Sequence, residues 1–176
     1  MSQKQPQTVC LHGLEAESIV DGIGYRTAIF TQGCPHRCVG CHNPSSHDPA
    51  GGTVWTLDDV AQKFEDNPLL DGITLSGGEP FLQAEACAEL ARCAHAKGLT
   101  VWTFSGYVYE KLTDMAVADE AVAALLAECD VLVDGPFVQS EISLELAFCG
   151  SRNQRVIDMQ KTRQNGVLTL FSSPEW

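Results

Sequence analysis

The sequence predicts an α/β fold built on a mainly parallel sheet. Short apolar, β-branched runs alternate with stretches of helical period, the pattern of repeated strand, helix, strand units. The 176 residues fall short of the roughly 250 that a closed eight-stranded (β/α) barrel takes. An open partial barrel and a doubly wound sheet both fit that limit. One domain over residues 1–176 is expected, because this length is ordinary for a single unit and 44% hydrophobic residues can build its core.

Strands are expected at "RTAIFTQ" (26–32), "GITLS" (72–76), "LTVWTFS" (99–105), "DVLVDG" (130–135), "RVID" (155–158) and "GVLTLF" (166–171). Helices are expected at 57–64 behind Thr56 as N-cap, at 83–97 stopped by Gly98, and at 119–128. The segment "NPSSHDPAGG" (43–52) reads as a surface loop, and the tail "SSPEW" (172–176) as a loosely held end. No internal repeat or interdomain linker interrupts the chain.

Charge and cysteine usage narrow the function. Acidic residues outnumber basic ones 23 to 11, a net charge of −12, which argues against a nucleic-acid partner because phosphate binding rests on Lys and Arg. No stretch has the order of a signal peptide, and apolar runs such as "AVAALLA" (121–127) are too short to span a bilayer. A cytoplasmic protein without a membrane span is expected, with its eight cysteines kept as thiols or metal ligands. Cys10, Cys87, Cys93, Cys129 and Cys149 are scattered and read as small hydrophobes.

The other three cysteines are concentrated in "GCPHRCVGCHN" (33–43). Soft thiolates select zinc or an iron-sulfur cluster. A Cys3His zinc site would take His36, His42 or His47 as its fourth ligand. A [4Fe-4S] cube held by Cys34, Cys38 and Cys41 would instead leave one iron open to a substrate. In "LSGGEP" (75–80) two glycines follow a strand, where missing side chains let the backbone approach a ligand, and Glu79 adds an anionic acceptor. A zwitterionic amino-acid group suits such a place. The cysteine run, "GGEP" (77–80), "SGY" (105–107) and "DGPF" (134–137) each follow a strand, so all four are expected at one mouth beyond the carboxyl ends of the sheet.

Cys34-x3-Cys38-x2-Cys41 together with "SGGEP" (76–80) resembles the radical S-adenosylmethionine superfamily. That resemblance implies an open partial (β/α) barrel, one [4Fe-4S] cluster on Cys34, Cys38 and Cys41, and S-adenosyl-L-methionine bound near Gly40, Cys41, His42, Ser76, Gly77, Gly78, Glu79 and Ser105. It implies no catalytic side chain beyond the cluster ligands. "SIVDGIGYRTAIFTQGC" (18–34) is similar to the glycyl-radical-enzyme activases, and "VLVDGPF" (131–137) with "GSRNQRVID" (150–158) to the anaerobic ribonucleoside-triphosphate reductase activating proteins. The implied partners are a glycyl radical enzyme, the anaerobic ribonucleotide reductase large subunit, and a flavodoxin- or ferredoxin-like electron donor. An activase of another such enzyme, for instance pyruvate formate-lyase, and a small-molecule enzyme such as a carboxy-deazaguanine synthase are the alternatives. Asp134 could line the mouth, hold a cation or shape a turn, and Asn153 and Gln154 match the family's "GS-x-NQ" stretch. Two departures stand out: Gly40 where many members carry an aromatic residue, and Ile23 where the activases carry proline.

Overall fold

A computed structural model describes residues 7–172, so all but the first residue of the "SSPEW" tail lies outside the described residues. Seven strands form one sheet: β1 (Thr8–Ser18), β2 (Arg26–Thr31), β3 (Thr53–Thr56), β4 (Gly72–Gly77), β5 (Thr100–Phe104), β6 (Val131–Asp134) and β7 (Arg155–Asp158). Their order is β3-β1-β2-β4-β5-β6-β7. The four central strands, β2, β4, β5 and β6, are parallel neighbours. β1 and β7 flank them antiparallel, and β3, antiparallel to β1, runs with the central strands again.

Helices α1 (Leu57–Glu65), α2 (Ala84–Ala96), α3 (Tyr109–Ala116) and α4 (Glu120–Glu128) cover one face, and α5 (Met159–Asn165) follows β7. Because strand side chains alternate, Ile29, Ile73, Leu75, Val101 and Leu132 meet the helices in the main core. Trp102, Val131 and Val133 point the other way into a smaller cluster with Phe104, Phe148 and Phe171. Thr56 caps α1 by accepting from the Asp59 amide, and Gly98, at φ +76°, lets the chain leave α2. Of the scattered cysteines, Cys87 and Cys129 are fully buried, and burial pushes both thiols well up from their ordinary range. Cys93 and Cys149 pack half-buried against the two clusters, while the Cys10 thiol donates to the Gly51 carbonyl.

Two strands and two helices escaped the sequence reading. β1 mixes glycine and charged residues and bends its register near Gly13, which breaks the alternation a strand should show. β3, α3 and α5 are short, and their shape depends on the surfaces they pack against. The run at 166–171 is not a strand, a correction to the expectation. It makes only the bridge Ile157↔Leu170 after Gly166 ends α5 in the left-handed region; Leu168 and Phe171 pack against the two apolar clusters, while Val167 and Leu170 stay exposed.

Arg26 is the largest fully buried side chain. Its guanidinium donates to the Ile73 and Thr100 carbonyls at 2.5 and 2.9 Å, to the Ile23 carbonyl, and to the Thr74 and Thr100 hydroxyls, and it lies over the Trp102 ring. Burial lowers its pKa to about 10, with Asp71 and Asp130 opposing the shift. It therefore stays charged at neutral pH and ties the amino ends of β2, β4 and β5 together. Arg26→Leu should lower stability by about 2–4 kcal/mol in urea unfolding, since the orphaned buried carbonyls lose their donors.

His95 of α2 reaches Glu128 at 2.9 Å through Nδ1 and Asp130 at 3.0 Å through Nε2. Burial lowers its pKa, but the two carboxylates outweigh that and hold it above the usual 6.5. A raised histidine pKa stabilises the fold fully below the unfolded value and loses that contribution as pH rises through the folded value. As pH rises from about 6.5 through the raised folded value, wild-type stability should fall relative to His95→Gln. Parallel profiles for the two proteins would show that the clamp contributes nothing.

Candidate functional site

A cavity of about 310 Å³, within the usual range for small-ligand pockets, opens on the helix-free face beyond the carboxyl ends of β2, β4, β5 and β6. Cys34, Cys38 and Cys41 line it together with His42, Ser76, Gly77, Gly78 and Ser105. The expected single mouth is therefore present, formed by the cysteine loop and the ends of the next strands.

The loop is set by backbone bonds on either side. After β2 the Gly33 amide donates to the Ser46 carbonyl at 2.8 Å, and the Cys34 amide to the His47 carbonyl at 3.2 Å. The Cys41 amide then donates to the Cys38 carbonyl at 3.2 Å. Left-handed Gly33 and Gly40 allow the turns, while Arg37, at φ +47°, adopts that region without being glycine. Burial raises the Cys34 pKa, although the His36 and Arg37 amides hydrogen-bond its sulfur and pull the other way. The Asn43 amide donates to Cys41 Sγ at 3.4 Å. Amides aimed at sulfur are the means by which a protein tunes a thiolate-bound cluster.

The glycine turn does more than leave room for a ligand. A Cβ on Gly77, at φ +92°, would lie 2.6 Å from Phe30 Cα, and one on Gly78 would lie 2.3 Å from the Gly33 carbonyl oxygen. Both line the cavity, but the absent side chains are demanded by the neighbouring strand. The Gly78 amide donates to the Thr31 carbonyl and the Glu79 amide to the Gly33 carbonyl, each at 2.8 Å.

Glu79 comes to the same place without entering the cavity wall. It is fully buried, and its carboxylate accepts from His36 Nε2 (2.8 Å), Ser105 Oγ (3.0 Å), the Gly106 amide (2.9 Å) and the Phe81 amide (3.1 Å). Its oxygens are engaged inside the protein rather than presented to a ligand amine. The Ser105 hydroxyl donates to Glu79 and accepts from the Tyr107 amide. Gly40 lies behind the wall, where a Cβ would meet Gln139 at 3.2 Å and Phe137 at 3.3 Å. Phe137 and His42 meet edge to face at 5.4 Å, and both line the cavity.

Asp134 takes the turn role: buried, it accepts from the Arg155 guanidinium and from the Tyr109 amide. Asn153 donates to the Pro136 carbonyl and Gln154 to the Gly135 carbonyl, so "GSRNQR" braces the "DGPF" turn, and Gln154 also reaches the cavity wall. The sequence reading missed Phe30 and Phe104, whose rings supply apolar walls. Strand alternation would have flagged them once the open face was known.

The donor set fits an iron-sulfur cluster. Three free thiols share one wall, and His36, one of the zinc-ligand candidates, is already committed to Glu79. Among the described residues no three His, Cys, Asp or Glu side chains converge on a single ion. A cube does not require convergence, because it takes its thiolates on separate irons.

Comparison with known proteins agrees with this arrangement. Residues 20–157 match the family described as a 4Fe-4S single cluster domain. The chain is 34% identical over 149 residues to the anaerobic ribonucleoside-triphosphate reductase-activating protein of Vibrio cholerae, covering 77% of this chain and 89% of that one. Its counterpart from Escherichia coli K12 is also 34% identical, with 78% and 91% covered. The pyruvate formate-lyase-activating enzyme of Clostridium pasteurianum is 36% identical over 121 residues, but that match spans 62% of this chain and 51% of the relative.

Gly78→Ala should destabilise the fold by about 1–3 kcal/mol in urea unfolding, because the clash is with backbone that cannot rotate away. An unchanged midpoint would mean that the two strand ends are not held together as described.

Proposed function

The chain belongs to the family of the anaerobic ribonucleoside-triphosphate reductase-activating proteins, and on that premise we propose that Cys34, Cys38 and Cys41 hold a [4Fe-4S] cluster at which S-adenosyl-L-methionine is cleaved to activate a glycyl radical enzyme. The observation that carries this reading is the shared cavity, where three thiols of one loop meet the glycine turn of the next parallel strand. When bound, the cluster would supply the one electron for reductive cleavage of the S–C5′ bond, the chemistry that would give methionine and a 5′-deoxyadenosyl radical able to take a hydrogen atom from one glycine Cα of the partner.

This chain's own residues supply position and dryness. Backbone at Ser76, Gly77 and Gly78 meets the methionyl end, opposite the cysteine loop. Phe30, Phe104, Val133 and Phe137 give the cavity apolar walls, which keep water from a reactive radical. His42 and Phe137 form the aromatic side available to the adenine, in the absence of a side chain at Gly40. No side chain acts as a general acid or base in this reading, since the transfer is of an electron and then of a hydrogen atom.

The sheet, open at β3 and β7, is read as a partial barrel whose helix-free face stays accessible to a macromolecular substrate. The substrate is a glycine-bearing segment of the anaerobic ribonucleotide reductase large subunit, and the electron comes from a flavodoxin- or ferredoxin-like donor. A single cytoplasmic domain completes the reading. Among the described residues no helix is long and apolar enough to cross a membrane. The resemblance to a pyruvate formate-lyase-activating enzyme keeps that lyase as the second possible acceptor.

Anaerobically reconstituted protein should be brown, hold about four irons per chain, and release 5′-deoxyadenosine under strong reduction. Ala at Cys34, Cys38 or Cys41 should abolish both cluster and cleavage, while Cys87→Ala and Cys93→Ala keep them. A colourless protein with one zinc would overturn the reading. Incubation with the reductase and a reductant should give a glycyl radical by electron paramagnetic resonance. Cofactor cleavage without that signal would point to the other acceptor.

A further inference from the structure

We infer that Glu79 is a positioning residue that acts through His36, fixing the cluster-binding loop over the glycine turn, rather than a contact to the ligand's amine. The inference rests on the cluster reading above and assigns a role within it. Both residues lie beside the cavity, yet only His36 forms part of its wall.

The loop between Cys34 and Cys41 needs an external tether. Among the described residues, the side-chain hydrogen bond that leaves segment 35–40 is the one from His36 Nε2 to Glu79 at 2.8 Å. Its other bonds stay within the loop, from the His36 and Arg37 amides to the Cys34 sulfur and from the Cys41 amide to the Cys38 carbonyl, and Arg37 adopts a strained φ. Without the tether, no side-chain hydrogen bond among the described residues would join segment 35–40 to the rest of the fold.

Glu79 is built for the tethering role. A buried carboxylate is costly unless donors surround it, and here they come from three separate segments. Phe81 belongs to its own turn, Ser105 and Gly106 to the end of β5, and His36 to the cysteine loop. All of these partners donate, so the carboxylate accepts throughout and His36 presents Nε2–H to it. The imidazole is also held by packing. It meets the Tyr107 ring edge-on at 4.4 Å, and a Cβ on Gly106 would lie 2.3 Å from His36 Cδ2. Gly106 is therefore glycine so that the imidazole can lie across the end of β5. A ligand ammonium would need a carboxylate oxygen at the cavity surface, and Glu79 offers none.

The test uses the anaerobically reconstituted chain with His36→Phe, His36→Gln, Glu79→Gln and the Glu79→Gln/His36→Phe double variant. The readouts are iron release to a chelator, the electron paramagnetic resonance spectrum of the reduced cluster, and the affinity for S-adenosylmethionine. His36→Phe should release iron about ten- to a hundredfold faster, as loss of a group that orients metal ligands does. It should also change the spectrum. His36→Gln, whose amide can still donate to Glu79, should restore both. The losses from Glu79→Gln and His36→Phe should combine to less than their sum. The inference is overturned if His36→Phe leaves iron release and spectrum unchanged, or if Glu79→Gln weakens ligand binding while the spectrum stays that of wild type. Should Glu79→Gln fail to fold by circular dichroism, the His36→Phe and His36→Gln pair decides alone. Wild-type protein that binds no cluster would defeat the cluster reading itself, whereas a normal wild type with an indifferent His36→Phe would defeat only the tether.

Discussion

The structure turns on the contact between two strand ends, where the Gly33 carbonyl accepts the Glu79 amide and the Thr31 carbonyl accepts the Gly78 amide, each at 2.8 Å. β2 and β4 are parallel neighbours, so their exits lie side by side at the same edge of the sheet. The chain leaves β2 into the cysteine loop and leaves β4 into the glycine turn. Their distance is therefore fixed by backbone hydrogen bonds before any ligand arrives. Gly77 and Gly78 have no room for a side chain because the other strand occupies it. The same closeness that forbids a Cβ keeps the thiols and the turn on one cavity.

The two faces and two ends of the sheet divide the work. Helices bury Ile29, Ile73, Leu75, Val101 and Leu132 on one face, which leaves the other free for a ligand. At the amino ends of the strands that free face is closed by Arg26, bound to carbonyls and hydroxyls of its neighbours and lying over Trp102. At the carboxyl ends the same face carries Phe30, Ser76, Phe104 and Val133 around the cavity. A charged residue can fill the closed end because five hydrogen bonds satisfy its donors there. An apolar side chain of that length would leave the carbonyls without donors.

Much of this was legible in sequence because it is local. The central strands, the caps at Thr56 and Gly98, and the cysteine spacing all express themselves within a few residues. β1 was not legible: its glycine and charged residues suit a strand that bends against β2, and only pairing reveals that. The run at 166–171 has strand composition but packs Leu168 and Phe171 against the two apolar clusters instead of extending the sheet. Glu79 was legible as a site residue, but its burial was not. Its donors His36, Ser105 and Gly106 lie 43, 26 and 27 residues away, and no local pattern shows that they converge on it. Burial of a motif carboxylate is a tertiary property, so the sequence offered its charge without its surroundings.

Gly40 shows how such a distant dependence resolves a departure from the family pattern. An aromatic residue before the third cysteine would supply a ring beside the cavity, and this chain has none there. In its place, the Phe137 ring stands 3.3 Å from where a Cβ of Gly40 would be, and Gln139 stands at 3.2 Å. The ring lines the cavity and meets His42 edge-on at 5.4 Å. Phe137 can hold that position because the turn carrying it is braced by Asn153 and Gln154, which donate to the Pro136 and Gly135 carbonyls. A larger residue at 40 would displace Phe137 and Gln139 together, and its positive φ would add backbone strain. The missing aromatic side chain and the "DGPF" and "GSRNQR" stretches thus form one packing solution, in which the loss of a ring from the cysteine loop is matched by a ring from the end of β6.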